Sequence, residues 1–291
     1  MLDSIIIGAG PAGISAALYL LRAGFSVKVL YRDQGALSKA HKLENYYGFA
    51  EPLSGDALAA NGMQGAAKLG ADFLQTEVMA VTAAETGNHF LVQTAKGDFE
   101  ARSVVLAAGG RRKAPNIQGL QEFTGKGVSY CAICDAFFYR GKKAAVLGNA
   151  AYALHEVKDL LPHVAKVYLL TDGQEIKADF PAEVEVYQQK ITAIVGEGKV
   201  KGAEFADGSS LSFDGIFVAQ GSAGSGELAR KAGIMLDEKN NIMINEKMAT
   251  NVPGIFAAGD CTGGLLQVAK AVYEGAEAGL SAVAYLRRES N

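Results

Sequence analysis

Two stretches of the chain share one alternation of apolar and polar positions. Ser4 to Ile7 reads as a short buried strand, "GAGPAG" turns the chain, Ile14 to Ala23 carries apolar residues at helical spacing, and Val27 to Tyr31 returns as a strand. The second occurrence predicts a strand over Ala144 to Leu147, a helix from about Tyr152 to Leu161, and a strand over Lys166 to Leu170. Near the C-terminus, "ATNVPGIFAAGDCTGG" reads as a turn, a strand and a glycine-flanked acid. A helix follows from about Leu266 to Leu286.

Two such units spaced ~140 residues apart predict an α/β fold of two Rossmann-like, three-layer nucleotide-binding-type domains rather than an array of short repeats. The C-terminal strand and acid read as a return to the first domain, so the second domain is expected as an insertion. Residues 1–112 and 243–291 would form the first domain and residues 113–242 the second, with crossings near "GGRRKAPN" and "EKNNIMIN". The length of 291 residues suits two domains.

Composition narrows the function classes. Apolar residues make up 49% and charged residues 20%, and a formal charge of -3 argues against a general polyanion binder, so nucleic acid is not an expected partner. No membrane helix is expected, because Arg22, Glu274, Glu277 and Arg287 interrupt the apolar runs. The opening "MLDSIIIGAGPAG" lacks a basic leader and enters a strand pattern at once, so a signal peptide is not expected and a cytoplasmic location is. Three cysteines are too few for a disulfide framework, and two of them, Cys131 and Cys134, have redox spacing.

Gly8, Gly10 and Gly13 satisfy G-x-G-x-x-G between a strand and a helix, the context that gives this pattern meaning. Gly8 permits the tight turn, Gly10 leaves room for a pyrophosphate against the backbone, and Gly13 lets helix and strand pack closely. The helix N-terminus then offers unpaired N–H groups to the anion. The acid expected at the end of the second strand, for a ribose 2′-OH, falls at about Tyr31, with Asp33 two residues late. Arg32, Asp33 and backbone groups remain as alternatives for that contact.

In "YCAICDAFF" the two thiols can form and break a disulfide by exchange, and Asp135 follows directly as a proton donor or acceptor. A metal site would need further ligands. Cys261 is distant, and His41, His89, His155 and His163 show no paired ligand spacing, so no metal is expected. Cys261, after "AAGD", reads as a small buried filler.

With "IIIGAGPAG", "KLENYYGF", "VVLAAGG", "YCAICDAFFYRGKK" and "TNVPGIFAAGD" in order, the chain resembles the low-molecular-weight thioredoxin reductases over essentially its whole length. The resemblance implies a homodimer with FAD held by a domain built from the two chain ends. It also implies cysteines on a central domain that rotates about segments near Lys113 and Ile242. Gly8, Gly10, Pro11, Ala12 and Gly13 would hold the FAD pyrophosphate, with Arg32, Leu37, Asn45, Val78, Ala108 and Gly109 in the same cofactor set. Gly259 and Asp260 would bind ribityl or phosphate groups, and Gln267 and Val268 would sit at the pyrimidine end of the flavin. Leu266 stands where the family usually has Arg. Cys134 would be the thiol nearest the flavin, and Cys131 the one that attacks the partner's disulfide.

Relatives that use NADPH carry a glycine-rich cradle at "LGNAAYA" and basic residues after the next strand. Here the close-approach position is Ala150, followed by Tyr152, so a pyrophosphate would meet a methyl group and a phenol ring. Each lost charge-assisted hydrogen bond costs about 1.5–3 kcal/mol. Downstream, Asp172, Glu175, Asp179, Glu183 and Glu185 face one cation, Lys177, an unfavourable setting for a 2′-phosphate. The chain is thus similar to the ferredoxin-dependent flavin thioredoxin reductases, in which electrons from ferredoxin reach thioredoxin through FAD and the Cys-x-x-Cys disulfide. Arg111, Arg112, Lys113, Lys126, Arg140, Lys142 and Lys143, against Glu122 and Asp135, make the segment Arg111 to Lys143 a candidate dock for an acidic ferredoxin. The alternatives are an FAD-dependent dithiol oxidase using oxygen, a diflavin enzyme with Tyr152 as stacking platform, an NADH-dependent reductase with Asp172 on the ribose, and a non-enzymatic redox sensor.

Overall fold

The computed structural model of the chain describes residues 1–33, 35–84, 88–110, 115–221 and 223–289. It opens with β1 (Leu2–Ile7), α1 (Pro11–Arg22) and β2 (Val27–Tyr31). Pro11 at the first helical turn suits α1, because its missing N–H would have no helical acceptor anyway. Next come α2 (Gly55–Lys68), β3 (Asp72–Gln75), the hairpin β4 (Val78–Ala83) and β5 (Phe90–Thr94), and β6 (Phe99–Leu106). Ser54 caps α2, its Oγ accepting from the Ala57 N–H at 3.1 Å.

These strands order as β3-β2-β1-β6-β5-β4. β1 is parallel to β2 and β6, while β5 and β4 continue the sheet antiparallel. The hairpin was not anticipated from the apolar pattern.

The second unit comprises β7 (Val128–Ser129), α3 (Ala132–Asp135), β8 (Lys143–Leu147), α4 (Ala151–Leu160), β9 (Lys166–Leu170) and β10 (Glu185–Tyr187), then β11 (Ile191–Glu197), β12 (Lys199–Phe205), β13 (Ser210–Ser212) and β14 (Gly215–Val218). Its parallel sheet runs β10-β9-β8-β14-β7, and β11-β12-β13 form a separate antiparallel meander. Period-two alternation divides the sheet's side chains. Ala144, Val146, Val167, Leu169 and Phe217 pack with the α4 residues Tyr152, Ala153, Val157 and Leu160. Ala145, Leu147, Leu170, Ile216 and Val218 pack with Ile194, Val200, Ala203 and Phe205 of the meander. Covered on both faces, these strands are continuously apolar, the sequence character of a parallel sheet.

The chain then adds α5 (Ser225–Lys231), β15 (Ile255–Ala257) and α6 (Val268–Arg288) to the first sheet, β15 pairing parallel with β6 from Ile255↔Val104 to Ala257↔Leu106. Residues of α1 and α6 share one core cluster with Ile6, Val29, Val105 and Phe256. One compact unit is therefore Met1–Arg112 with Gly224–Asn291, and the other is Lys113–Ala223. The return at Gly224 corrects the boundary expected at Ile242. Residues 224–242 belong to the first unit because α5 packs against β4 and because backbone bonds tie the segment down. Met235 N–H donates to Asn251 Oδ1 at 2.8 Å, and Ile242 N–H to Cys261 O at 2.9 Å. Among the described residues no helix is long and apolar enough to cross a membrane.

Candidate active site

In the first unit the residues expected at a dinucleotide gather at the carboxyl ends of β1, β6 and β15, where open α/β sheets place their ligands. Gly10 is the N-cap of α1, extended and without a side-chain cap, so the first-turn amides find no acceptor within the helix. A Cβ at Gly8 would run into Ala107 O, and one at Gly13 into Gly8 O, whereas nothing lies within 4 Å of that point at Gly10. Strand, turn and helix are thus packed to backbone contact everywhere except where a pyrophosphate would approach. The donor set and the open Gly10 fit FAD.

Ala108 follows directly on the Ala107 carbonyl that abuts Gly8, and the Cβ point of Gly110 lies 3.6 Å from Asp260 Cβ. Gly259 adopts φ 88, and its own Cβ point falls 3.0 Å from Ala12. Two residues that sequence reasoning passed over hold this loop. Glu274 Oε2 accepts from Gly259 N–H at 2.8 Å, and Lys270 Nζ donates to Gly259 O at 2.8 Å and Gly263 O at 2.6 Å. Asn45 Nδ2 donates to Gln267 Oε1 at 3.0 Å, joining two candidates 222 positions apart, and Val268 starts α6. Leu266 is exposed.

At the end of β2, Arg32 Nε donates to Asp33 Oδ2 at 2.7 Å. Burial alone would raise the Asp33 carboxyl, but the Arg32 guanidinium and the Gly35 amide hold it below its ordinary value. Leu37 is a buried side chain whose carbonyl abuts Gly55, and Val78 is a buried residue that opens β4, two places after Thr76, whose N–H donates to Tyr31 O at the end of β2 at 2.8 Å. Cys261 is buried and free, its Sγ donating to Ala258 O at 3.3 Å and Leu106 O at 3.4 Å. Burial pushes its thiol up to about 12.

In the second unit Cys131 and Cys134 form a disulfide with an S–S distance of 2.05 Å. Cys131 is the N-cap of α3. The two sulfurs differ in access, because Cys131 is only 2% exposed while Cys134 is an exposed residue. Exchange requires approach to a sulfur, and the more accessible of the two here is that of Cys134. Asp135 is half-buried and accepts from Ser129 Oγ at 2.7 Å; the same hydroxyl accepts from Cys131 N–H at 3.1 Å. Ile133, Phe137 and Phe138 are exposed around Cys134. Arg140 lies over the Phe137 ring and Lys142 over Tyr139. Arg111, Arg112 and Lys113 fall outside the described residues.

The "LGNAAYA" turn differs from expectation in one respect. Tyr152 does not line the turn's mouth: it is fully buried in the α4 core, its hydroxyl donating to Tyr130 O at 3.4 Å, so it is neither an obstacle to a phosphate nor a stacking platform. A backbone strap covers the turn instead. Lys177 N–H donates to Asn149 O, and Asn149 Nδ2 donates to Glu175 O, both at 2.7 Å. Asp172 is also occupied, accepting from Ile191 N–H at 2.9 Å and from Lys190 Nζ at 2.8 Å. Gly148 is explained by packing, since its Cβ point lies 2.5 Å from Ala219 O.

The sequence matches the family described as pyridine nucleotide-disulphide oxidoreductase over residues 2–275. It is 36% identical over 277 residues to a thioredoxin reductase of Aquifex aeolicus (strain VF5), covering 89% of this chain and 84% of that protein. Among solved structures it is similar to the atypical thioredoxin reductase TRi from Desulfovibrio vulgaris Hildenborough, with a TM-score of 0.92 and 34% identity over 99% of each chain. A ferredoxin-flavin thioredoxin reductase from Clostridium acetobutylicum is similar at a TM-score of 0.72 and 32% identity, over 99% of this chain and 98% of that one.

Proposed function

As the chain belongs to the pyridine nucleotide-disulphide oxidoreductase family, as a flavoprotein disulfide reductase of thioredoxin reductase type with FAD as cofactor, we propose that its electrons come from reduced ferredoxin and leave through Cys131–Cys134 to thioredoxin. The observation that carries the donor assignment is the strap of Glu175 and Lys177 on Asn149. The strap bonds to the carbonyl and the side-chain amide of Asn149, so a stretch of this chain's own backbone lies at the turn that a nicotinamide dinucleotide's pyrophosphate would otherwise approach. Asp172, the candidate for an NADH ribose, is likewise engaged. The similarity to a solved protein named for a ferredoxin donor supports the same reading.

Gly8, Gly10, Pro11, Ala12 and Gly13, with Gly259 and Asp260, would hold the cofactor. When bound, FAD supplies a carrier that accepts electrons singly and releases them as a pair. Cys134, being exposed, takes the exchanging role in place of Cys131. Its thiolate attacks one sulfur of thioredoxin's disulfide; the Cys131 thiolate then attacks Cys134 Sγ, re-forming the Cys131–Cys134 bond and releasing thioredoxin as the dithiol. Asp135, oriented by Ser129, holds or returns the proton. Ile133, Phe137 and Phe138 offer apolar docking area beside Cys134. A homodimer completes the proposal, with exposed Tyr273 and Leu280 of α6 as candidate contacts.

Anaerobic absorbance of the bound flavin tests the donor, with NADPH, NADH and reduced ferredoxin offered separately. Ferredoxin is expected to bleach the flavin, and neither nicotinamide to do so at millimolar concentration. Rapid bleaching by either nicotinamide would overturn the assignment.

A further inference from the structure

Glu156 is 1% exposed, which makes it the most deeply buried carboxylate among the described residues. A carboxylate in that position needs donors, and its Oε2 takes the Ala132 N–H at 2.6 Å. Ala132 is the first residue of α3, whose N-cap is Cys131. Glu156 Oε1 faces His155 Nδ1 at 3.8 Å, and that nitrogen stands 3.3 Å from Asp159 Oδ2.

Amides at the start of a helical turn stabilise a thiolate at its N-cap, and a dithiol whose reduced form is stabilised is a weaker reductant. Here the Ala132 amide is committed to Glu156, which also brings an acidic group within one hydrogen bond of the turn that carries Cys131. Both features disfavour the thiolate. We propose that Glu156 is a positioning residue that keeps the Cys131–Cys134 couple strongly reducing by holding an acidic group one hydrogen bond from the turn that carries Cys131. The inference rests on the redox reading of that pair given above.

Glu156→Gln retains an acceptor for the Ala132 N–H and nearly the same volume but removes the acidic group. The FAD-loaded wild type and variant are equilibrated with thiol–disulfide buffers at mildly alkaline pH, where thiols ionise. Alkylation and mass measurement then give the oxidised fraction of Cys131–Cys134. The variant is expected to shift about tenfold toward the dithiol, which is roughly 30 mV upward for a two-electron couple, with flavin content and flavin potential unchanged.

Glu156→Asp provides a second reading by drawing the acceptor back one methylene while keeping the acid, and a smaller shift in the same direction is expected. Equilibria in both variants equal to the wild type's, or shifted toward the disulfide, overturn the role of Glu156 and leave the disulfide reductase reading standing. A wild-type pair that no buffer reduces overturns that reading instead.

Discussion

Two cysteines of identical chemistry, three residues apart, differ here in access, and under the proposed function that difference assigns the exchanging role to Cys134. Cys134→Ser is expected to abolish thioredoxin reduction while leaving flavin bound. Cys131→Ser keeps the exposed thiol but removes the one that resolves the adduct, so a mixed disulfide with thioredoxin should accumulate on non-reducing gels. An adduct that forms with the Cys134→Ser protein and not with Cys131→Ser would reverse the roles. Cys261 supplies a residue-scale prediction of the opposite kind, because it is sealed in. The folded state keeps its proton to about pH 12, whereas the unfolded thiol releases it near the ordinary 9.0. Between those values the native state binds more protons than the unfolded state, so stability falls as pH rises through this window and is unaffected below it. Urea midpoints of the wild type and Cys261→Ala should therefore converge as pH climbs from 9 toward 12, and parallel pH profiles would contradict the burial argument.

At the scale of elements, the cofactor crevice depends on helices α1 and α6 meeting at backbone distance. A Cβ at Gly275 of α6 would run into Ala12 O in the first turn of α1. Gly275→Val should thus displace the turn that receives the pyrophosphate, with a loss of stability of about 1–3 kcal/mol, the usual cost of overpacking. A lowered flavin-to-protein absorbance ratio and urea midpoint would check it; a normal ratio would show that the helix ends tolerate separation. Elements whose signal is local were legible in the sequence. The strands β1, β2, β8 and β9 are short and mostly apolar, and the Gly8 to Gly13 loop is contiguous. Tyr152 follows helical period rather than the turn: with Glu156 and Leu160 at intervals of four it belongs to the buried face of α4. The strap on Asn149, Ser129 beneath Asp135, and Glu156 beneath Ala132 join residues whose relation is set only by tertiary packing. No spacing in the sequence announces them. The segment 224–242 joins the first unit through ties of the same kind, since its bonds to Asn251 and Cys261 are set by tertiary packing.

At the scale of the whole molecule, a net charge of -3 coexists with a local concentration of cations near the redox pair. Among the described residues Arg140 and Lys142 frame the exposed Phe137 and Phe138, with Lys126 and Lys143 also exposed on the same unit. Asp135 and Asp214 lie close enough to act on Tyr139 between them, raising its hydroxyl together with the larger effect of burial, so the patch is mixed rather than uniformly basic. Such a patch steers an acidic partner over distances comparable to the Debye length, about 10 Å at 0.1 M salt, and adds little to affinity once the apolar contact forms. The rate of flavin reduction by ferredoxin should therefore fall as salt rises. Reversing both charges, Arg140→Glu with Lys142→Glu, should slow it about tenfold at low salt and flatten the salt dependence. The double variant's rate should merge with the wild type's at high salt, where steering is screened and only the contact itself remains. Stopped-flow traces at several ionic strengths measure this directly. A salt-independent wild-type rate, or a double variant with an unchanged slope, would place the donor's landing site elsewhere on the protein.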